Sequence, residues 1–115
     1  MSLSVNTRKV QGVIVVDMSG RLNGGEPVMR LRDTIQRYSE DGSRKFLLNL
    51  GSVSHIDSAG LGALITTYVS VRNKGGDVKL LNLTKTAKDL LQMTKLLTVF
   101  DTFDDEAKAV QALAG

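Results

Sequence analysis

Ser58 stands directly after Asp57 and three residues after His55, so a hydroxyl, a carboxylate and an imidazole share one short stretch. A hydrolase triad uses these three groups, but they must converge in space, and near-neighbours on one loop rarely do. The serine also lacks the Gly-x-Ser-x-Gly elbow that presents a nucleophile on a strand-to-helix turn. His55 is the only histidine, which gives no metal-ligand spacing. The chain has no cysteine, which excludes thiol catalysis, disulfides and thiolate-bound metal. Gly24 and Gly25 are not followed by Gly-Lys-Ser/Thr, so they make no Walker-type phosphate loop. An enzyme would need Asp17, His55 and Asp57 gathered around one deep pocket. The chemistry left to Ser58 is that of a helix cap or a phosphate acceptor.

The neighbours of Ser58 place it at a strand-to-helix junction. Upstream lies the apolar run Phe46-Leu47-Leu48-Asn49-Leu50, and downstream Leu61, Leu64, Ile65 and Tyr68 recur at helical spacing. The first N–H groups of a helix lack partners within it and carry partial positive charge. An oxygen of Ser58 or Asp57 can cap them, and a phosphate on Ser58 would sit in the same favourable field. Gly60 and Gly62 each weaken the helix start by roughly 1 kcal/mol relative to Ala. They also strip side chains from the surface beside Ser58. That suits close approach by a neighbouring strand or by a partner protein.

The hexapeptide Asp57-Ser58-Ala59-Gly60-Leu61-Gly62 after a buried strand resembles the signature of STAS domains, specifically the bacterial anti-sigma factor antagonists. The order of elements around it extends the resemblance over nearly the whole chain. It implies that Ser58 is phosphorylated by a partner anti-sigma factor that is also a serine kinase and holds the ATP. The unphosphorylated form binds that partner and frees a sigma factor for transcription, and a serine phosphatase resets the switch. Catalysis then belongs to the kinase, and the chain is no enzyme and needs no cofactor or metal. Asp57 orients Ser58 or contacts the kinase, its plainer role being a second cap. The partner-binding set is Asn23, Gly24, His55, Asp57, Ser58, Ala59, Gly60, Leu61, Gly62 and Asn82, with Leu61 half core and half interface. Asn23 stands where the family often has an acidic residue, which removes a charge pair with the partner. The alternative role is a STAS domain that senses a ligand or nucleotide, or serves as a scaffold in a signalling or transporter assembly.

Composition fits a regulator of this kind. At 115 residues the chain suits one domain, residues 1–115, and its hydrophobic share of 42% supports an ordinary core. The net charge of +3 is dispersed: Arg30, Arg32 and Arg37 fall on one helix, and Lys85, Lys88 and Lys95 on another around Asp89. Trp is absent and aromatics are 4%, too few for a base-stacking platform, so the charge reads as solvated helix faces rather than a nucleic-acid site. No apolar run approaches the ~20 residues of a membrane span. Met1 to Ser4 lack signal-peptide features. The expectation is a cytoplasmic protein, away from membranes and monomeric when free.

The remaining pattern predicts an α/β domain. Residues 3–9 alternate as an edge strand, Gln11-Gly12 turns the chain, and Val13–Met18 is a buried central strand that completes an antiparallel hairpin. Pro27 opens a helix carrying Val28, Leu31, Ile35 and Tyr38, which ends near Asp41-Gly42. Strand three runs from Lys45 to Leu50. Its helix ends by Gly75-Gly76, and strand four is Asp77–Asn82. Thr84 or Thr86 caps a helix with Ala87, Leu90, Leu91 and Thr94 on one face. Thr98–Phe103 is a last strand, and Asp104 caps a helix with Ala107, Val110 and Ala114 inward. The sum is a five-stranded mixed sheet, parallel apart from the first hairpin, with four helices. Three loops, Leu22–Glu26, Ser52–Gly60 and Asn82–Lys85, meet at the carboxyl edge where such sheets carry function.

Overall fold

The computed structural model describes residues 3–114. β1 (Leu3–Val10) and β2 (Val13–Leu22) form the antiparallel hairpin. Gln11 (φ 51°) and Gly12 (φ 82°) are both left-handed, the two-residue turn whose twist matches paired strands. There follow α1 (Glu26–Glu40), β3 (Lys45–Ile56), α2 (Ser58–Asn73), β4 (Asp77–Leu81), α3 (Lys85–Met93), a 3₁₀ turn (Leu96–Thr98), β5 (Thr102–Phe103) and α4 (Glu106–Ala114). The strands lie in the order β1-β2-β3-β4-β5, and every pairing after the first is parallel. With one strand added each time in the same direction, right-handed crossovers stack α1, α2 and α3 on one face. The expected mixed sheet with four helices is the observed fold.

Alternation along the strands divides the core. Ile14, Val16 and Met18 of β2 and Phe46, Leu48 and Leu50 of β3 face the three-helix layer, where Leu31, Ile35, Leu64 and Leu91 meet them. Val13, Val15, Leu47 and Leu81 point the other way, against Ala109, Val110 and Leu113 of α4. Burial on both faces is why β2 and β3 read as unbroken apolar runs.

Several elements differ from the sequence pattern. β2 continues past Met18 to Leu22, and β3 continues past Leu50 to Ile56. Register shifts in the β2–β3 ladder absorb the extra residues of β3, so Gly51, Ser52 and Ser54 are strand rather than loop. β4 ends at Leu81, and Asn82 turns away with φ 59°. The last strand shrinks to Thr102–Phe103, because Leu96–Thr98 coil into a 3₁₀ turn that drives Phe100 into the core. There its ring meets Tyr68 edge-on at 5.2 Å. Val99 is left exposed. Asp105, not Asp104, caps α4 by accepting from the Lys108 N–H at 3.1 Å. The buried face of α4 is Ala109, Val110 and Leu113, packed on the sheet, and Ala107 and Ala114 are exposed. Ile65 also faces solvent, and Thr94 is the cap that follows the end of α3. Of the two threonines offered as its cap, Thr84 takes the role, accepting from the Ala87 N–H at 3.1 Å.

Candidate functional site

Because β3 runs to Ile56 and α2 begins at Ser58, the whole connection between them is Asp57. Its extended backbone (φ −99°, ψ −173°) turns the chain, and its side chain caps the helix. Oδ1 accepts from the Gly60 N–H at 2.8 Å. Oδ2 accepts from the Gly24 N–H at 3.2 Å, in the loop between β2 and α1. One carboxylate therefore joins two of the three loops at this edge. The Asp57 N–H also donates to the Leu22 carbonyl at 3.4 Å. The N–H groups of Gly60, Gly24 and Ala59 hold the Asp57 carboxyl below its ordinary range against a smaller opposing effect of burial, and His55 adds to the lowering.

Asp57 thus takes the capping position that the sequence left open between it and Ser58. Ser58 becomes the first helical residue, exposed, and among the described residues its hydroxyl has no hydrogen-bond partner. Ala59 is exposed beside it. The two glycines have different work. A Cβ on Gly60 would collide with the backbone carbonyl of Leu22, so Gly60 is required by the close seat of α2 against the end of β2. A Cβ on Gly62 would meet nothing within 4 Å, so Gly62 keeps an outward surface bare.

The other predicted residues divide. Gly24 is exposed, and a Cβ there would come within 3.3 Å of the Ala59 Cβ, while Asn23 is half-buried in the same loop. His55 is exposed at the end of β3, paired in register with Arg21. Leu61 is buried at 9% exposure and belongs to the core, so it offers far less surface than a half-interface residue. Asn82 is exposed, and its side chain joins a different cluster. Its Nδ2 donates to Asn49 Oδ1 at 3.3 Å, and Asn49 Nδ2 donates to Asp17 Oδ1 at 2.7 Å. Asp17 also pairs with Arg8 at 2.6 Å, and Arg8 reaches Glu106 of α4 at 2.7 Å. This ladder crosses the sheet on the α4 side. The Arg8 hydrogen bonds lower the carboxyl pKa of both Asp17 and Glu106, and those two carboxylates hold Arg8 in its protonated form. The pattern of single-residue motifs does not reveal the ladder. Its signal is the alternation that puts polar Asp17 and Asn49 among Val15 and Leu47.

Asp17 does not join His55 and Asp57, since its carboxylate is engaged by Arg8 and Asn49 on the α4 side. The cavity beside His55, lined also by Thr84 and Thr86, is about 10 Å³. What the edge offers is an exposed hydroxyl framed by bare backbone, at a helix N-terminus that the Asp57 carboxylate caps.

The chain belongs to the STAS domain family, whose model matches residues 4–109. It is 27% identical over 116 residues to the anti-sigma F factor antagonist of Paenibacillus polymyxa, covering 98% of this chain and 97% of that one. It is 30% identical over 102 residues to the anti-sigma-B factor antagonist of Bacillus subtilis (strain 168), covering 88% and 91%. Its fold matches an anti-sigma factor antagonist from Mycobacterium paratuberculosis with TM-score 0.83 at 21% identity, over 99% of this chain and 96% of that one. It also matches the Bacillus cell fate determinant SpoIIAA in its phosphorylated form, with TM-score 0.75 at 20% identity over 95% and 98%. By relatedness and fold the chain is one of the anti-sigma factor antagonist family. Among the described residues no helix is long and apolar enough to cross a membrane.

Proposed function

We propose that this chain is a phosphorylation-switched antagonist and that Ser58 is its phosphoacceptor. Unphosphorylated, it binds an anti-sigma factor with serine-kinase activity, in the cytoplasm, and releases the sigma factor that partner holds. Phosphorylated, it lets go, and a serine phosphatase restores it. The observation that carries this reading is the division of labour between adjacent residues: Asp57 caps α2, which leaves the Ser58 hydroxyl exposed and uncommitted. The existence of a phosphorylated form of a structural relative adds support.

The switch follows from solvation. A phosphate adds about −1.5 to −2 charges and three acceptor oxygens. In the free domain it would stand in water at a helix N-terminus, a field that favours an anion. A partner packed over Ser58 would have to bury that dianion beside the Asp57 carboxylate, and an uncompensated buried charge is costly. The domain need not change shape for the complex to dissociate.

Incubation with ATP and a lysate of the source organism tests the acceptor by intact-protein mass. One added phosphate on the wild type and none on Ser58→Ala is the expected result. With the purified partner, Ser58→Ala should bind and Ser58→Asp should bind far more weakly. Equal binding of the two would remove the switch.

A further inference from the structure

The outward face of α2 is unlike that of its neighbour. Ser58, Gly62, Ile65 and Val69 follow one another at intervals of four, three and four residues, so they form one stripe along the helix. Ile65 is 36% exposed and Val69 49%. From Ser58 to Val71 the helix contains no Asp, Glu, Lys or Arg. The exposed positions of α1, by contrast, include Glu26, Arg30, Arg32, Asp33, Arg37 and Glu40. A solvent-facing helix surface ordinarily carries charge, and an uncharged one with exposed aliphatic side chains marks a contact surface.

Beside the stripe lies a groove of about 190 Å³ between α1 and α2, lined by Arg32, Gln36, Glu40, Thr66, Ser70 and Lys74 among others. Among the described residues neither Arg32 nor Lys74 forms an ion pair, whereas Arg30 and Arg72 do. Glu40 is the single carboxylate there, and Gln36 donates to it at 3.3 Å. The stripe is therefore neutral and apolar, and its rim carries two cations against one carboxylate.

We propose that the outer face of α2 from Ser58 to Val69 is one continuous docking surface for the protein that phosphorylates Ser58. The segment seated on it is an apolar ridge bearing carboxylates that reach Arg32 and Lys74. The inference rests on the reading of Ser58 and extends it some 16 Å down the helix, within the span of one ordinary protein interface. Charge complementarity selects this occupant. A second copy docked through the same face would bring only Glu40 of this groove, already hydrogen-bonded, to meet the two cations. The stripe also begins at the hydroxyl that a kinase must reach.

The test is the initial rate of Ser58 phosphorylation on the full chain, at subsaturating concentration, in an ATP-supplemented lysate and read by intact mass. Thermal melting verifies that each variant is folded. Val69→Glu should slow the reaction about tenfold, since it places a carboxylate where the apolar ridge seats. The double variant Arg32→Glu with Lys74→Glu should slow it several-fold and flatten its dependence on salt. Met93→Glu, an exposed change on α3, should leave the rate unaltered. If Val69→Glu matches the wild type while Ser58→Ala blocks labelling, the docking surface is wrong and the function stands. If the wild type takes no phosphate in a kinase-active lysate, the reading of Ser58 falls and the surface with it. A wild-type dimer in sedimentation that Val69→Glu dissociates would identify a second copy as the occupant. Binding of the wild type to phosphatidylserine vesicles, abolished in Val69→Glu, would identify a membrane. Either of these results overturns the proposal.

Discussion

The two faces of the sheet are built on different physics. The face under α1, α2 and α3 is a continuous apolar layer in which Leu31, Leu48, Leu50, Leu64 and Leu80 are fully buried. The face under α4 is apolar only where that nine-residue helix covers Val13, Val15, Leu47 and Leu81. Beyond the helix it carries the ladder Arg8–Asp17–Asn49–Asn82, with Glu106 joined at one end. Apolar packing therefore seats α2 under the Ser58 edge, and the Asp57 carboxylate fastens it to the Gly24 loop. Charge and hydrogen bonding, in contact with water, tie down the start of α4 and Asn82, while the rest of α4 rests on its small apolar patch. Damage to the first face should reach the site, while damage to the second should be milder and sensitive to pH.

The largest test of this contrast is Leu48→Ala, which opens a cavity in the three-helix core and should cost about 3–4 kcal/mol in urea unfolding. A cost below that of Leu47→Ala on the α4 side would contradict the unequal weight given to the two faces. Gly60→Ala comes next, at about 2–3 kcal/mol, because its methyl group has only the Leu22 backbone to displace. Amide chemical shifts at Gly24 and Ala59 should move with it, and if they stay fixed the close seat of α2 is not what holds the edge.

Asp17→Asn should cost about 1 kcal/mol at neutral pH, since the side chains of Asp17 and Arg8 are 30% and 42% exposed and solvent screens their attraction. The sign with pH is definite. The folded-state pKa values of Asp17 and Glu106 are depressed. Their contribution is therefore present above the ordinary carboxylate range near 4 and fades as pH falls through the depressed values. Denaturation between pH 2 and 6 should show a shallower slope in the variant, and identical slopes would remove the ladder from the ledger of stability. Gly62→Ala should have the smallest effect on folding, a gain of a few tenths to 1 kcal/mol from helix propensity. It should nonetheless slow Ser58 phosphorylation. A stabilised variant that is phosphorylated at the wild-type rate would show that the bare surface at Gly62 is not used.

The fold was legible in the sequence where one force acted alone. The β-branched run Val13–Val16 and the apolar run Phe46–Leu50 gave the central strands, Gln11-Gly12 the hairpin, and Gly42 and Gly75-Gly76 the ends of the first two helices. It was illegible where two local solutions were nearly equal. Asp104 and Asp105 can both cap a helix, and in α4 small alanines on every side let Ala107 and Ala114 fit an inward face as well as Ala109 and Leu113 do. Thr98–Phe103 has the residues of a strand, but Phe100 is worth more against Tyr68 in the core than in a ladder. At the site, Asp57 and Ser58 were equivalent as caps in sequence. Only the structure shows one carboxylate serving both the helix and the Gly24 loop. Ile65 satisfies helical spacing yet faces outward, because periodicity reports a stripe and not what lies against it.

The antiparallel first strand has a practical consequence for handling the protein. Leu3 lies opposite Gly20, near the carboxyl ends of β2 and β3, so the chain enters the domain at the edge that carries Ser58. The Ala114 carbonyl accepts from Lys45 Nζ at 3.4 Å, at the start of β3, so the described chain leaves at the opposite end. A fluorophore, affinity handle or surface tether attached after Ala114 would project away from Ser58. The same attachment before Leu3 would crowd the edge where a partner must land.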